Sequence, residues 1–268
     1  MVPVSSILIL SVNALLGIAV PVCLSLYLVR RHHAKASTIL IGAGTFILFA
    51  LVLEAIMHQL VLKGPHGAAI IGNTLWYALY GGLAAGLFEE TGRFLAMTFL
   101  MKKEPSTGIP ALAYGVGHGG IEMIVIFGIT MISNLVLSLM INSGQAGFLV
   151  SQTPAEAAAQ VQAQLNQLQS ASAGSWLIGL WERISALVLH IGLSLMVWVA
   201  VRRRGKWLWF PAAIALHAFV DAGVVMLQKS IGIVPIEIII TAEAVAVAAI
   251  GYMVSKKAMP ISPENQLG

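Results

Sequence analysis

Three short stretches of this chain place ionisable residues one helical turn apart inside otherwise apolar sequence. Leu87-Phe88-Glu89-Glu90-Thr91-Gly92-Arg93 sets two carboxylates beside a guanidinium. Tyr114-Gly115-Val116-Gly117-His118-Gly119-Gly120-Ile121-Glu122 puts a histidine four residues before a glutamate, and His217-Ala218-Phe219-Val220-Asp221 puts another four before an aspartate. Residues three or four apart share one helical face, so each stretch presents its polar groups together. An arginine one turn from adjacent glutamates fixes one of them and leaves the other free as a general base. Glu89 and Arg93 are spaced i,i+4 and Glu90 and Arg93 i,i+3, so spacing does not say which is paired. Histidines on two other helices could polarise a carbonyl, and Asp221 could orient His217 or bind an amide. Together these groups are suited to adding water to a peptide bond. There is no HExxH histidine pair, no Gly-x-Ser-x-Gly elbow and no catalytic cysteine candidate. His118, His190 and His217 could still ligate zinc together with a carboxylate, each ligand coming from a different helix.

The elements that must position these residues follow from composition. Of 268 residues, 58% are hydrophobic and 10% charged, and the mean hydropathy is +0.89. A soluble domain is about one quarter charged, so that class is excluded. The apolar runs are roughly 20 to 30 residues long, enough to cross a ~30 Å hydrocarbon core as helices, whereas barrel strands would be ~10 residues of alternating polarity. The expected fold is all-α: one integral-membrane domain over 1–268, a polytopic bundle with spans near 3–29, 37–62, 71–101, 109–141, 176–201, 207–228 and 232–254. Such a chain is a multi-pass protein of the cell membrane. The first span lacks a basic leader and is too long for a signal peptide, so it should remain as an anchor.

Lys and Arg number 15 against 11 Asp and Glu. In a soluble protein that excess would suggest nucleic acid; here the basic residues sit at span ends and report topology instead. Arg30, Arg31, Lys35, Lys102, Lys103, Arg202, Arg203, Arg204, Lys206, Lys256 and Lys257 fall on one side, with Lys63 and Lys229 in the intervening connections. The amino terminus is therefore expected outside and the carboxyl terminus in the cytoplasm. Cys23 has no second cysteine to pair with and reads as a small hydrophobe. The connection over 142–175 has no Lys or Arg and should face outward. There Thr153-Pro154-Ala155-Glu156 reads as a capping box with proline at the first helical position, and Val161, Leu165 and Leu168 follow at helical spacing. A short amphipathic helix on the outer membrane surface is expected, a solvated spacer helix being the plainer alternative.

An ionisable side chain at mid-bilayer costs about 2.5 to 3.5 kcal/mol even on lenient insertion scales, so such residues face the bundle interior and mark sites. Counting from the basic span ends at ~1.5 Å per residue places Glu89, His118, His190 and His217 all roughly 14 to 20 Å deep. Four polar residues on four helices at one level predict a single buried site. Glu122 reads as a supporting group that holds His118 in one tautomer, and His190 as a cavity-lining residue or a bystander to Glu182 and Arg183. Glu54 and His58 share a face nearer the outside and suggest a structural hydrogen bond, while Glu237 and Glu243 have no basic partner nearby in sequence. His32 and His33 read as solvated, and Trp176, Trp181, Trp207 and Trp209 as interfacial anchors.

Glu89-Glu90-x-x-Arg93, Tyr114-x-x-x-His118 and His217-x-x-x-Asp221, in that order, resemble the motif series of the CAAX-protease and bacteriocin-processing superfamily of intramembrane proteases. Gly-His-Gly-Gly-Ile-Glu at 117–122 and Trp181-Glu182-Arg183 followed by His190 are most similar to its YhfC-type membrane peptidases. The resemblance spans about 89–221. It implies that Glu89 activates water with help from His118, that Arg93 holds Glu90, and that His217 with Asp221 forms the oxyanion-binding side. The prenyl-processing branch often has Asn where this chain has Asp221; an ionised Asp would repel an oxyanion and better serves to orient His217. The expectation is an intramembrane peptidase, glutamic in type rather than metallo, acting on a membrane-embedded or membrane-associated peptide without a cofactor; zinc bound by His118, His190 and His217 is the alternative within that class. A proton-coupled transporter or a peptide-binding membrane protein without catalysis are the rivals from other classes.

Overall fold

The computed structural model describes residues 1–259, so the last nine residues of the expected 1–268 domain lie outside the described part, the carboxyl terminus included. Every element among the described residues is a helix. They are α1 (Val4–His32), α2 (Ala36–Leu62), α3 (Gly67–Ile71), α4 (Thr74–Leu95), α5 (Ile109–Asn142), α6 (Ala146–Gln152), α7 (Ala155–Ser170), α8 (Ser175–Arg202), α9 (Trp209–Leu227) and α10 (Ile233–Ala258). Six of them, α1, α2, α5, α8, α9 and α10, are long and apolar enough to cross a membrane. This departs from the seven spans expected. The segment over 71–101 does form a helix, α4, continued by a π-helical turn at Ala96–Leu100, but it is not among the six. Glu89, Glu90 and Arg93 lower its hydropathy, so the helix that carries most of the predicted site residues is less apolar than the six.

Two further π-helical stretches interrupt α2 at Ile47–Glu54 and α5 at Met123–Gly128. Such wide turns are rare and gather at functional sites. Here one ends on Glu54, one follows Arg93 by three residues, and one begins immediately after Glu122.

The described chain divides into two compact units, one formed by residues 1–20 with 123–183 and the other by 21–122 with 184–259. In the first, Leu10 and Ala14 of α1 pack with Phe127 and Met131 of α5, and Val2 and Ile141 with Leu165 and Leu168. The Val2 amide donates to Asn142 Oδ1 at 2.7 Å and Asn142 Nδ2 returns a bond to the Val2 carbonyl at 2.9 Å, tying the amino-terminal end of α1 to the end of α5. The 142–175 connection forms two helices, α6 and α7, rather than one. The expected capping box is not made: Thr153 Oγ1 donates to the Leu149 carbonyl at 2.9 Å, closing α6, and Pro154 caps α7 without a side-chain bond. A carbonyl one turn back lies nearer to that hydroxyl than the amides ahead of an extended proline. The apolar face of α7 is covered by protein, with Leu165 and Leu168 both buried.

The second unit carries all the predicted site residues. Its core runs through Met97, Tyr114, Leu193, Met196 and Trp198. Two helix crossings set its geometry, and glycine permits both. α2 meets the first half of α5 where a Cβ on Gly42 would overlap the Tyr114 carbonyl oxygen and one on Gly117 the Ile39 carbonyl oxygen. α4 meets α9 where a Cβ on Gly86 would come within 2.7 Å of the Ile214 carbonyl oxygen. Small residues at these points let backbones touch, which in lipid supplies the close packing that holds helices together.

Candidate functional site

The two crossings bring Glu89, Glu90 and Arg93 of α4, His118 and Glu122 of α5, His190 of α8 and His217 of α9 into one buried cluster. Each side chain arrives from the inward face of its helix, as the i,i+3 and i,i+4 spacings predict. Asp221 stands at its edge, with its side chain 38% exposed.

The structure resolves the ambiguity that spacing left. Arg93 pairs with Glu90: Nη1 donates to both carboxylate oxygens at 2.7 Å, and both residues are fully buried. Glu89 is left outside that pair, and its Oε2 lies 2.8 Å from His118 Nε2. The second guanidinium nitrogen, Nη2, donates to His190 Nδ1 at 3.1 Å. Since that nitrogen accepts, the His190 proton sits on Nε2, which meets Glu122 Oε2 at 2.6 Å. His217 Nδ1 lies 2.9 Å from Glu90 Oε1.

Two partnerships differ from the sequence reading. Glu122 holds His190 rather than His118, although Glu122 and His118 share a helix face; α8 passes close enough for its histidine to reach the carboxylate, and a Cβ on Gly119 would stand 3.1 Å from the His190 Cβ. His217 is fixed by Glu90, while Asp221 Oδ2 stands off at 3.6 Å from Nε2, beyond a good hydrogen bond. Glu182 and Arg183 pair with each other. Glu54 and His58 form the hydrogen bond expected of them, at 3.2 Å, and it continues from His58 Nδ1 to the Tyr80 hydroxyl at 2.8 Å. Sequence reasoning missed that Glu54 lies close enough to feel the charges of Glu89, His217 and Asp221; its place at the end of a π-helical stretch is the local signal for it.

One subset of these groups is suited to a cation. Glu89, His118 and His190 each offer a ligand atom, all three within 4.8 Å of one another, and all three residues are buried. Glu89 Oε2 to His190 Nδ1 is 3.9 Å. His217, expected as the third histidine ligand, falls outside this group and is replaced in it by Glu89. One carboxylate and two imidazoles with a free fourth position is a donor set that catalytic zinc accepts. The contact of His190 Nε2 with Glu122 supplies the carboxylate behind a ligating histidine that such sites use to fix the ring. Charge agrees: Arg93 is committed to Glu90, so Glu89 brings a carboxylate to the two imidazoles that the guanidinium does not neutralise.

A multi-pass helical membrane protein with buried carboxylates and histidines gathered from four helices is the class that fold and site define. A family model described as YhfC intramembrane metalloprotease matches residues 16–245, and the chain belongs to this family. "Uncharacterized membrane protein YhfC" of Bacillus subtilis (strain 168) is 37% identical over 233 residues, covering 86% of this chain and 88% of that one. No solved structure matches the chain. The YhfC resemblance read from the motifs is thus borne out, and the family's description supports a membrane peptidase. It names a metal-dependent chemistry and lends no support to the glutamic type expected from sequence.

Proposed function

We propose that this protein hydrolyses a peptide bond of a membrane-embedded or membrane-associated substrate, and that its working site is a metal centre held by Glu89, His118 and His190. The observation that carries this reading is the buried triad itself, three ligand atoms within 4.8 Å drawn from three helices. A divalent zinc ion there would supply a Lewis acid and an activated water at neutral pH. Glu122 keeps the His190 ring oriented through Nε2. The opposite nitrogen, Nδ1, accepts from Arg93, so a cation and the guanidinium compete for it. Glu90 neutralises Arg93 and at the same time fixes His217 through Nδ1. That leaves His217 Nε2 directed toward Asp221, which is partly exposed. His217 Nε2 is therefore placed to pass a proton to the leaving amine, with the partly exposed Asp221 beside it.

A metal-independent reading rests on one contact, Glu89 Oε2 against His118 Nε2 at 2.8 Å, with Glu89 as the base that activates water. Under either reading the order of the three motifs and the Arg93–Glu90 pair support kinship with the CAAX-protease and bacteriocin-processing superfamily. Transport and binding without catalysis gain nothing from the family comparison.

Membrane-protein termini compared by mass spectrometry in cells expressing wild type or Glu89→Gln test proteolysis; new termini in or beside membrane spans are expected only with wild type. Identical profiles from two folded, equally abundant proteins would overturn the activity. Metal analysis of purified wild type, Glu89→Gln and His118→Ala tests the centre. About one equivalent of zinc in wild type and its loss in both variants is expected, whereas unchanged cleavage by metal-stripped protein would leave the Glu89 base as the mechanism.

A further inference from the structure

A polar cavity opens in this unit, away from the histidine cluster, where α1 ends and α5 begins. It encloses about 610 Å³ and is lined by Arg31, His32, His33, Lys35, Glu104 and Thr107, with Ile109 and Pro110 at the start of α5. The basic side chains read from sequence as solvated topology markers. Three features set this place apart from the other basic helix ends.

Thr107 is 1% exposed and its hydroxyl has no hydrogen-bond partner. A buried hydroxyl left unpaired is costly and uncommon, and this one sits in the cavity wall. The loop that carries it is held from behind: Trp198 Nε1 donates to the Thr107 carbonyl at 2.8 Å, and Arg202 donates to the carbonyls of Lys102 and Glu104. Its carbonyls are engaged while its hydroxyl is left over. On the opposite wall, α1 ends with the Ala34 amide bonded to the Leu28 carbonyl, and the left-handed position before it, φ +52°, is filled by His33. Glycine is the usual choice there, so the imidazole is kept at a conformational cost. The first turn of α5, the positive end of its helix dipole, borders the same space through Ile109 and Pro110. The carboxylate present, Glu104, is paired with Lys35 at 3.0 Å. Arg31, His32 and His33 then face the cavity together with the helix terminus.

We infer that this cavity binds a phosphate group, with Arg31 and the α5 amino terminus supplying charge, His33 and the Thr107 hydroxyl supplying hydrogen bonds, and the Lys35–Glu104 pair closing one side. The site lies at the helix ends expected to face the cytoplasm, where a lipid headgroup or a soluble phosphate can reach it. It is independent of the proposed peptidase activity and stands or falls without it.

Purified full-length protein, stripped of lipid in detergent, is titrated in two arms. Native mass spectrometry reads retention of phosphatidylglycerol against phosphatidylcholine, and calorimetry reads inorganic phosphate. Preferential retention of one phosphatidylglycerol assigns the phosphate to a lipid, and saturable phosphate binding with no lipid preference assigns it to a soluble ligand; each supports the site. Thr107→Val should weaken binding about tenfold, the worth of one hydrogen bond to a charged partner. Arg31→Gln with Lys35→Gln, both exposed and tolerant positions, should abolish it, since the second change also releases Glu104. Lys256→Gln with Lys257→Gln removes the same charge elsewhere and should leave binding intact. No binding in either arm, or equal losses in the two double variants, would overturn the inference.

Discussion

Arg93 and Glu90 form a fully buried ion pair, which makes their substitution a sharp test of how the site is held. Glu90→Gln keeps the shape of the side chain and one acceptor oxygen but removes the negative charge that compensates the guanidinium. Removing one member of a buried pair costs about 3 to 5 kcal/mol, because the other charge stays desolvated and uncompensated. For a chain of this size that corresponds to a fall in Tm of about 6 to 20 °C. Arg93→Met alone should fall in the same range, since it strands the Glu90 carboxylate. The double variant, Glu90→Gln with Arg93→Met, removes both charges, and replacing a whole buried pair by neutral groups is often harmless. It should therefore melt above either single variant. Thermal unfolding of the three proteins in one detergent, read by tryptophan fluorescence, gives the comparison directly. Single variants within 2 °C of wild type would show that the pair is not a buried charge pair in the folded protein. A double variant whose fall equals the sum of the two single falls would show that the charges are not coupled, and the account of Arg93 as the anchor for Glu90 would be refuted.

Glu122→Gln should weaken zinc binding about 10- to 100-fold without unfolding the chain, because the carboxylate acts behind His190 rather than as a ligand; competition with a chelator measures it. Gly42→Ala should destabilise by about 1 to 3 kcal/mol through collision with the Tyr114 carbonyl, whereas Gly44→Ala, two residues on and facing open space, should be neutral; paired melting curves read the contrast. Leu168→Ala should cost about 2 to 5 kcal/mol and speed amide hydrogen exchange over α7, which would not happen if that helix lay free on a membrane surface.

Much of this arrangement is legible in the sequence. The apolar runs mark the long helices within a few residues, and the polar residues at one depth mark the cluster, because burying charge in lipid demands a shared interior. What one-dimensional spacing cannot carry is the rotation of one helix against its neighbour. Glu122 and His118 share a face, yet Glu122 meets His190, because α8 passes where Gly119 leaves room. Likewise Glu90 bridges Arg93 on its own helix and His217 on another, a contact set by the crossing of α4 and α9 rather than by any motif. The capping box at Thr153 misled for a local reason: the same threonine ends one helix and precedes the next, and its hydroxyl serves the first.

The polarity of α4 also bears on how the protein is made. With Glu89, Glu90 and Arg93 unpaired, each would oppose entry into the bilayer by about 2.5 to 3.5 kcal/mol, so this segment is a poor candidate to partition from the translocon on its own. Its glycine-lined face is built to close on α9, and His217 of α9 adds a hydrogen bond to Glu90. Because α9 lies more than a hundred residues later in the chain, the partner for this face is synthesised well after α4, and stable integration of α4 is expected to be a late event. The charges that make α4 costly to insert are thus the same ones that tie it to its neighbours once the bundle has closed.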